Sequence, residues 1–271
     1  MKIGIIGLGL IGGSILKKLV GFGHELYAVT RNQETLRHVK NLVKACSDKY
    51  EILSECEVVF VCTPIGKILE SLDRLDGVVA KNCVVTDVAS VKEFVTKKKY
   101  SFKFIPSHPM AGTENSGYSA SFPELFEGAK WVLTPYDCSA DCDEVRILTD
   151  LILETGATPI VADAKEHDEA VAMISNLPMY ISQCLYNVAK DNKLAMKLAS
   201  SGFRDTTRLA MTDLTLACDM LKFNGQNIEK SQNAFVLELE NLKKENYLEK
   251  ITEISNSRRK MYNSDGKNIV E

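Results

Sequence analysis

The sequence lacks the features that would place the protein on a nucleic acid or in a membrane. It carries 33 lysines and arginines against 36 aspartates and glutamates, so its formal net charge is −3. This balance provides no overall basic field for a nucleic acid or an acidic membrane surface. The apolar run that opens the chain is short and broken by glycine, which excludes a membrane span there. Removing that run as a signal peptide would destroy a glycine motif, so we expect a cytoplasmic protein.

The eight cysteines lack the spacing of a zinc site. Cys138 and Cys142 form a pair, but no second pair of cysteines or histidines stands at zinc spacing. Other cysteines, such as Cys62, lie within apolar runs, as buried free thiols do. The sequence therefore predicts no metal site and a reducing compartment.

Secondary-structure signals alternate over the first part of the chain and change near residue 163. The predicted strands are 2–6, 26–30, 58–63, 83–87, 104–105, 131–134 and 158–161, and the predicted helices are 12–21 and 34–44. Strands separated by helices indicate βαβ units in a mostly parallel sheet with right-handed crossovers. From His167 onward almost no β-rich run remains, and Phe235, Leu239 and Leu242 fall at helical spacing. We therefore predict an α/β domain over residues 1–164 and an all-α domain over residues 165–271.

A glycine-rich turn follows the first predicted strand. The run Gly7-Leu8-Gly9-Leu10-Ile11-Gly12 matches G-x-G-x-x-G between a strand and a helix, the context that makes this motif informative. Gly7 permits the tight turn, Gly9 lets the backbone approach a pyrophosphate, and Gly12 allows the helix to pack on the strand. The helix N-terminus offers free N–H groups to the phosphates. The alternative interpretation is a glycine-rich turn without a ligand.

The end of the next strand lacks the acidic residue of an NAD site. An Asp or Glu there would accept hydrogen bonds from the ribose hydroxyls, but the sequence has Thr30 followed by Arg31. A guanidinium suits a 2′-phosphate because it can donate two parallel hydrogen bonds. We therefore predict NADP rather than NAD as the cofactor. Alternatively, Arg31 is a solvated arginine and the site does not discriminate.

Polar residues near two later strands are candidates for catalysis. Ser90 lies in the run 86–92 at a strand end, which faces the ligand in an open parallel sheet. His108, one of four histidines, follows a short strand and precedes Pro109, so we expect it in a loop. A neutral imidazole there could accept a proton from a substrate hydroxyl as hydride leaves the same carbon. The alternative is a structural or surface histidine.

Two arginines in the helical part are candidates for binding an anion. Arg204 and Arg208 lie four residues apart, so on a helix they would share one face. Two guanidiniums that converge on one site could bind one or two carboxylates. A salt bridge with Asp205 or Asp213 is the alternative.

Several motifs follow one another in order along nearly the whole chain. They are Gly7-Leu8-Gly9-Leu10-Ile11-Gly12-Gly13-Ser14, Cys62-Thr63-Pro64, Asp87-Val88-Ala89-Ser90-Val91-Lys92, His108-Pro109-Met110-Ala111-Gly112-Thr113, His167-Asp168-Glu169-Ala170-Val171-Ala172 and Gly202-Phe203-Arg204-Asp205-Thr206-Thr207-Arg208. Together they resemble the prephenate and arogenate dehydrogenases of tyrosine biosynthesis. The resemblance implies a Rossmann-like nucleotide-binding domain followed by a helical domain that forms a homodimer.

The resemblance also implies roles for individual residues. His108 corresponds to the family's catalytic histidine, and Ser90 to the serine that helps to hold it and the substrate hydroxyl. Arg208 corresponds to the arginine that binds a substrate carboxylate, with Arg204 beside it, and Thr113 would line the same pocket.

The implied reaction is oxidative decarboxylation of prephenate to 4-hydroxyphenylpyruvate, of arogenate to tyrosine, or of both, with hydride transfer to NADP or NAD. Thr63 and Pro64 would belong to the cofactor site. Family members often have Ser-His-Leu-Pro followed by His or another residue, where this sequence has Ser175-Asn176-Leu177-Pro178-Met179. We expect Asn176 to contact the substrate, and the choice between prephenate and arogenate stays open. The alternatives are another small dehydrogenase of this architecture and a non-catalytic dinucleotide sensor.

Overall fold

The computed structural model describes residues 1–113, 115–244 and 247–262. The described part of the chain divides into two compact units, the first Met1–Gly225 and the second beginning at Gln226. The strands are β1 (Lys2–Ile6), β2 (Glu25–Val29), β3 (Ala45–Ser47), β4 (Val58–Val61), β5 (Val84–Asp87), β6 (Lys103–Phe104), β7 (Ser107–Pro109), β8 (Lys130–Leu133) and β9 (Thr158–Val161). The helices are α1 (Leu10–Leu19), α2 (Gln33–Val39), α3 (Ile68–Leu75), α4 (Asp143–Glu154), α5 (Ala164–Val171), α6 (Leu177–Ala189), α7 (Lys193–Leu198), α8 (Ser201–Thr207), α9 (Leu214–Lys244) and α10 (Tyr247–Met261). The sequence-based domain boundary after residue 164 stays a prediction.

The first six strands form one parallel sheet in the order β3-β2-β1-β4-β5-β6. The chain builds outward from β1 in one direction and then returns to place β4 on its other side. The carboxyl ends of β1 and β4 therefore flank a crevice, the place where open α/β sheets bind ligands. The predicted parallel α/β architecture is confirmed.

The central strand β4 is buried along its whole length. Parallel strands covered on both faces read as continuous apolar runs, and the sequence of β4 is Val-Val-Phe-Val. Phe60 points into one core, where its ring lies 6.3 Å from that of Trp131. Val59 and Val61 point into the core on the other face, together with Leu72 of α3. These two cores hold the strand ends that carry the candidate site.

Helix α2 and strand β3 differ from the prediction. The predicted helix 34–44 is shorter, because α2 ends at Val39 and β3 begins at Ala45. β3 pairs with β2, with Cys46 opposite Ala28, so the intervening residues must turn the chain back toward the sheet. The sequence of this short edge strand, Ala-Cys-Ser, carries little β propensity, which explains why it was not predicted.

A second sheet of three strands has the order β7-β8-β9. The expected loop position of His108 is wrong, because His108 lies in β7 and pairs with Val132 of the antiparallel strand β8. Pro109 follows it within the strand. Proline cannot donate to a ladder, but it is tolerated here because β7 is at the edge of its sheet.

The described elements after β9 are all helical, which confirms the predicted change of character. Between α5 and α6 the helix widens into a π-helical turn, Ala172–Asn176, and Pro178 stands in the first turn of α6. Helix α9 has a non-helical residue, Asn224, with φ −126° and ψ 16°. Among the described residues, no helix combines the length and the apolar character needed to cross a membrane.

Candidate active site

The glycine turn between β1 and α1 has the shape of a phosphate cradle. Gly7 has φ +87°, and a Cβ there would lie 2.7 Å from the carbonyl oxygen of Cys62. A Cβ on Gly12 would lie 2.0 Å from the Gly7 carbonyl oxygen. Gly9 differs, because a Cβ there would meet no described atom within 4 Å. Two glycines are therefore required by packing, and the third leaves open space beside the helix N-terminus.

Helix α1 presents this space with free N–H groups. Its N-cap is Gly9, which offers no side chain to cap the first turn, and the first turn holds no acidic residue. The side chain of Leu8 is buried, and Ile11 packs against the core. Unpaired amides and a positive dipole end fit the pyrophosphate of a dinucleotide.

Two further segments border the same crevice. Thr30 directly follows β2, and its hydroxyl accepts a hydrogen bond from the N–H of Asn32 at 3.3 Å, while Arg31 is exposed. Thr63 and Pro64 follow β4, and the Thr63 hydroxyl lies 3.2 Å from that of Ser71. These predicted cofactor residues therefore lie at the carboxyl ends of strands that neighbour β1.

Three buried side chains form a chain of hydrogen bonds that ends at His108. Nδ1 of His108 lies 2.9 Å from Nε2 of His167, and Nδ1 of His167 lies 2.8 Å from Oδ1 of Asp168. The Asp168 carboxylate also accepts hydrogen bonds from the N–H groups of Lys92 at 2.7 Å and Glu93 at 2.8 Å. His108 comes from β7 and the other two from α5, so the relay joins the second sheet to the helical part.

The hydrogen bonds determine which nitrogen of His108 is free. An ionised Asp168 only accepts hydrogen bonds, so Nδ1 of His167 must carry a proton and donate it. Nε2 of a neutral His167 is then an acceptor, and Nδ1 of His108 must donate to it. The lone pair of neutral His108 is therefore on Nε2, where it can accept a proton from a bound molecule.

The surroundings keep His108 neutral. Burial lowers the pKa of His108 well below 6.5, and the neighbouring His167 and Lys92 lower it further. A buried imidazole loses the hydration that its charged form needs, and the positive charge of Lys92 opposes a second positive charge nearby. The residue is thus present as a base at neutral pH.

Ser90 carries a buried hydroxyl without a partner. Its Oγ has no hydrogen-bond partner among the described residues. A buried hydroxyl left unpaired costs free energy, so such groups are expected to meet a ligand or water. Ser90 follows the carboxyl end of β5, which faces the same side of the sheet as the glycine turn.

The comparisons with known proteins agree with this arrangement. Residues 13–161 match the nucleotide-binding domain of prephenate dehydrogenase, and residues 163–255 match the dimerization domain of prephenate dehydrogenase. The chain belongs to the prephenate dehydrogenase family. Membership confirms the predicted family and enzyme class, and a pyridine nucleotide as the cofactor.

Relatives in this family differ in their named substrates. A prephenate dehydrogenase of Lactococcus lactis is 32% identical over 86% of this chain and 68% of its own length. An arogenate dehydrogenase structure from Synechocystis is 34% identical, with a TM-score of 0.78 over 96% of this chain and 94% of its own. The structure of A. aeolicus prephenate dehydrogenase in complex with hydroxyphenyl propionate and NAD+ is 26% identical, with a TM-score of 0.84 over 96% of this chain and 98% of its own.

Among the described residues, the two arginines that the family resemblance implies for substrate binding form no hydrogen bond with the buried relay. Arg204 lies in α8 with a side chain that is 77% exposed, and its Nε donates to Asp205 at 2.9 Å. Arg208 begins the helical turn after α8 and is also exposed. The salt bridge that the sequence left open as an alternative therefore forms at Arg204, and the carboxylate role of both arginines stays a prediction.

The two other predicted substrate residues, Thr113 and Asn176, make hydrogen bonds to residues other than His108. Thr113 is exposed, and its hydroxyl accepts a hydrogen bond from the N–H of Asn115 at 3.2 Å. Asn176 is fully buried in the π-helical turn, where its amide donates to the sulfur of Met220 at 3.2 Å and accepts from Asn224 at 3.3 Å. Their substrate roles stay predictions of the family resemblance.

The cysteine pair gains a third candidate ligand. The sulfurs of Cys138 and Cys142 lie 2.7 Å apart, and the carboxylate of Glu144 lies within 4.8 Å of both. Burial, with the neighbouring Cys142, raises the pKa of Cys138 to about 12. Three ligands are one short of the four that structural zinc sites use. The absence of a metal stays a prediction.

Sequence reasoning assigned no role to His167 and Asp168, although both lie in a motif that carried the family resemblance. His167 stands 59 residues from its partner His108, so only the fold brings them together. One signal was available in the sequence, where His167 is followed directly by Asp168.

Proposed function

We propose that this protein catalyses the oxidative decarboxylation of prephenate to 4-hydroxyphenylpyruvate, of arogenate to tyrosine, or of both, with NADP as the preferred cofactor. The observation that carries the proposal is the relay from Asp168 through His167 to His108, which leaves Nε2 of His108 free as a base. The names of the relatives support the reaction class, since they include prephenate and arogenate dehydrogenases.

The chain's own residues perform the proton chemistry. The substrate class has a ring carbon that bears a hydroxyl, opposite a quaternary carbon that bears a carboxylate. The nicotinamide, when bound, accepts the hydride from the hydroxyl-bearing carbon. His108 accepts the hydroxyl proton as the carbonyl forms, and Ser90 orients that hydroxyl. Imidazolium formed on His108 is stabilised through His167 by the carboxylate of Asp168.

Loss of carbon dioxide completes the reaction. Once the carbonyl has formed, the bond between the ring and the carboxylate breaks, and its electron pair enters the ring. The ring becomes aromatic, and His108 returns its proton to the phenolate oxygen. One hydride and one molecule of carbon dioxide have then left the substrate, without net change in protons. Aromatisation makes the step effectively irreversible.

The proposed substrate anchor is the pair Arg208 and Arg204. Both guanidiniums are exposed in the helical part, where a carboxylate can reach them. Arg208 forms no ion pair with any described residue, whereas Arg204 must share its charge with Asp205. We therefore assign the main carboxylate contact to Arg208.

The preference for NADP is supported by Thr30 and Arg31. No acid stands at the end of β2 to bind ribose hydroxyls, and the exposed Arg31 is available to a 2′-phosphate. The decisive experiment measures initial rates with prephenate and with arogenate, each with NADP and NAD. Turnover of at least one substrate, at a higher rate with NADP than with NAD, supports the proposal. Binding of NADP without turnover of either substrate would instead indicate a dinucleotide sensor.

We propose that the protein forms a homodimer in the cytoplasm. Residues 163–255 match a dimerization domain, and apolar side chains of α6 and α7, such as Val188 and Leu198, are 83% and 70% exposed in the single chain. All eight cysteines are unpaired, which supports a reducing compartment. Light scattering at micromolar concentration should give twice the mass of one chain. A fully active monomer at that concentration would contradict the dimer.

A further inference from the structure

Lys92 is a charged side chain with no exposure to solvent. Its ammonium contacts Oδ2 of Asp87, whose side chain is equally buried, and donates to the carbonyl oxygen of Ser107 at 2.7 Å. Lysine is almost never fully buried unless it is paired. Lys92 therefore needs an explanation beyond the filling of space.

Asp87 extends the pair to the loop that holds Ser90. Its Oδ2 accepts a hydrogen bond from the N–H of Ala89 at 2.9 Å, and its Oδ1 accepts one from the N–H of Ser107 at 3.3 Å. The carboxyl end of β5, the Ser90 loop and the start of β7 are thus tied together, one residue before His108.

The main chain of Lys92 holds the opposite end of the relay. Its N–H donates to Oδ1 of Asp168 at 2.7 Å, the same oxygen that accepts from His167. The side chain of Lys92 therefore fixes the residue next to His108, while its backbone fixes the carboxylate behind His167. Lys92 therefore makes hydrogen bonds at both ends of the proton relay, to Ser107 beside His108 and to Asp168.

Stability alone does not explain a charged pair at this place. Removing two charges from water is costly, and replacing a buried ion pair with uncharged residues of similar size is often neutral or stabilising. Burial lowers the pKa of Lys92, whereas the contact with Asp87 favours its charged form. That charge lowers the pKa of His108, after the larger effects of burial and His167. The charged and titratable groups around Lys92 and His108 are Asp87 from β5, and His167 and Asp168 from α5.

We propose that Lys92, anchored by Asp87, is a positioning residue that aligns both ends of the relay and whose positive charge opposes protonation of His108. This inference rests on the proposed function for its kinetic consequences. Its electrostatic part concerns His108 alone and can be measured without substrate.

The test uses a charge-free pair. Lys92→Met alone would leave the Asp87 carboxylate buried without its cationic partner, so the informative variant is the double substitution Lys92→Met with Asp87→Asn. The asparagine oxygen can still accept from the N–H of Ala89 or Ser107. The matched control is Lys98→Met with Asp73→Asn, which removes an ion pair whose side chains are 53% and 50% exposed.

The expected result separates positioning from a merely structural role. In the folded double variant, kcat should fall about tenfold or more, while KM and the affinity for NADP change little. The acid limb of the pH–rate profile should move toward higher pH, because Lys92 lowers the pKa of His108 whereas Asp87 is not among the groups that shift it. The control variant should match the wild type in both. Unchanged kcat and an unchanged acid limb in the folded double variant would overturn the proposal.

A second measurement needs neither a variant nor a substrate. Histidine NMR of the wild type should show His108 as the Nδ1–H tautomer, neutral throughout a titration from pH 8 to below pH 6.5. Titration near the ordinary value of about 6.5 would overturn the electrostatic part even if no variant folds. Failure of the proposed function is distinguishable, because it would show as absent turnover in the wild type with this titration behaviour intact.

Discussion

The proton relay and the candidate anion site differ in how firmly the structure holds their side chains. His108, His167 and Asp168 are 9%, 4% and 1% exposed, and each is hydrogen-bonded to the next. Arg204 and Arg208 are exposed, and no contact with the relay fixes either side chain among the described residues. A base held rigidly before substrate arrives needs little reorganisation during the reaction. Damage to the relay should therefore lower kcat, and damage to the arginines should raise KM.

The largest effect should come from His108→Asn. Asparagine keeps some hydrogen bonding but cannot accept the proton, so kcat should fall by about a hundredfold or more with a modest change in KM. Steady-state kinetics with prephenate and arogenate would measure this.

The control for this variant is His24→Asn. His24 pairs with Glu154 at 2.7 Å next to the start of β2, away from the carboxyl ends of the strands, so kcat should stay near the wild-type value. Near-wild-type kcat in His108→Asn with both substrates would show that His108 is not the base.

The second-largest effect should come from Arg208→Ala, and it should appear in KM. Loss of a charged hydrogen-bonding partner costs about 1.5–3 kcal/mol, which is about ten- to a hundredfold in KM where KM tracks binding. Arg204→Ala should have a smaller effect because Asp205 already pairs with that side chain. Arg146→Ala, which removes a surface arginine that is 66% exposed, provides the control. A lower kcat at unchanged KM in Arg208→Ala would place Arg208 with the relay instead.

The sequence was sufficient for the parts of the fold that depend on local pattern. The glycine turn, the buried run of β4 and the helical second part were all predicted, because each follows from neighbouring residues. β3 and the strand position of His108 were not. β3 and β7, the strand that contains His108, are short edge strands. Pairing with a neighbouring strand, rather than their own composition, makes them strands.

The candidate site was predictable only one residue at a time. His108 and Ser90 stood out beside strands, but the partner His167 lies on a helix 59 residues away. The sequence also did not predict the burial of Lys92. Lysines are exposed as a rule, and the run 86–92 does not show whether this side chain points into the protein or toward solvent. Sequence indicates the chemical groups, whereas the tautomer and the charge of His108 depend on distances that only the fold sets.

The third-largest effect should appear in the affinity for the cofactor. Arg31→Ala should raise the KM for NADP about tenfold while the KM for NAD changes little, because only NADP carries the 2′-phosphate. Arg37→Ala on α2, also exposed, is the control. Initial rates over a range of both cofactors give the answer. A wild-type enzyme that prefers NAD would show that Thr30 and Arg31 do not select the cofactor.

The smallest predicted effect is on stability. It concerns the buried relay alone and not the exposed arginines. The folded state holds the pKa of His108 well below 6.5, whereas the unfolded chain has the ordinary value. As pH falls below about 6.5, His108 binds a proton in the unfolded state but stays neutral in the folded state, so the folded state loses stability. The loss has a limiting slope of about 1.4 kcal/mol per pH unit, and it ends below the folded pKa.

Urea denaturation at pH 7.5, 6.5 and 5.5 would measure this dependence in the wild type and in His108→Asn. The asparagine variant lacks the titrating group, so its free energy of unfolding should fall less between pH 6.5 and 5.5 than that of the wild type. Arg208→Ala should retain the full wild-type dependence, because an exposed arginine stays charged in both states. Parallel pH dependences in wild type and His108→Asn would mean that His108 titrates alike in both states. In that case the relay would not hold the base neutral, and its advantage over the exposed arginines would lie in orientation alone.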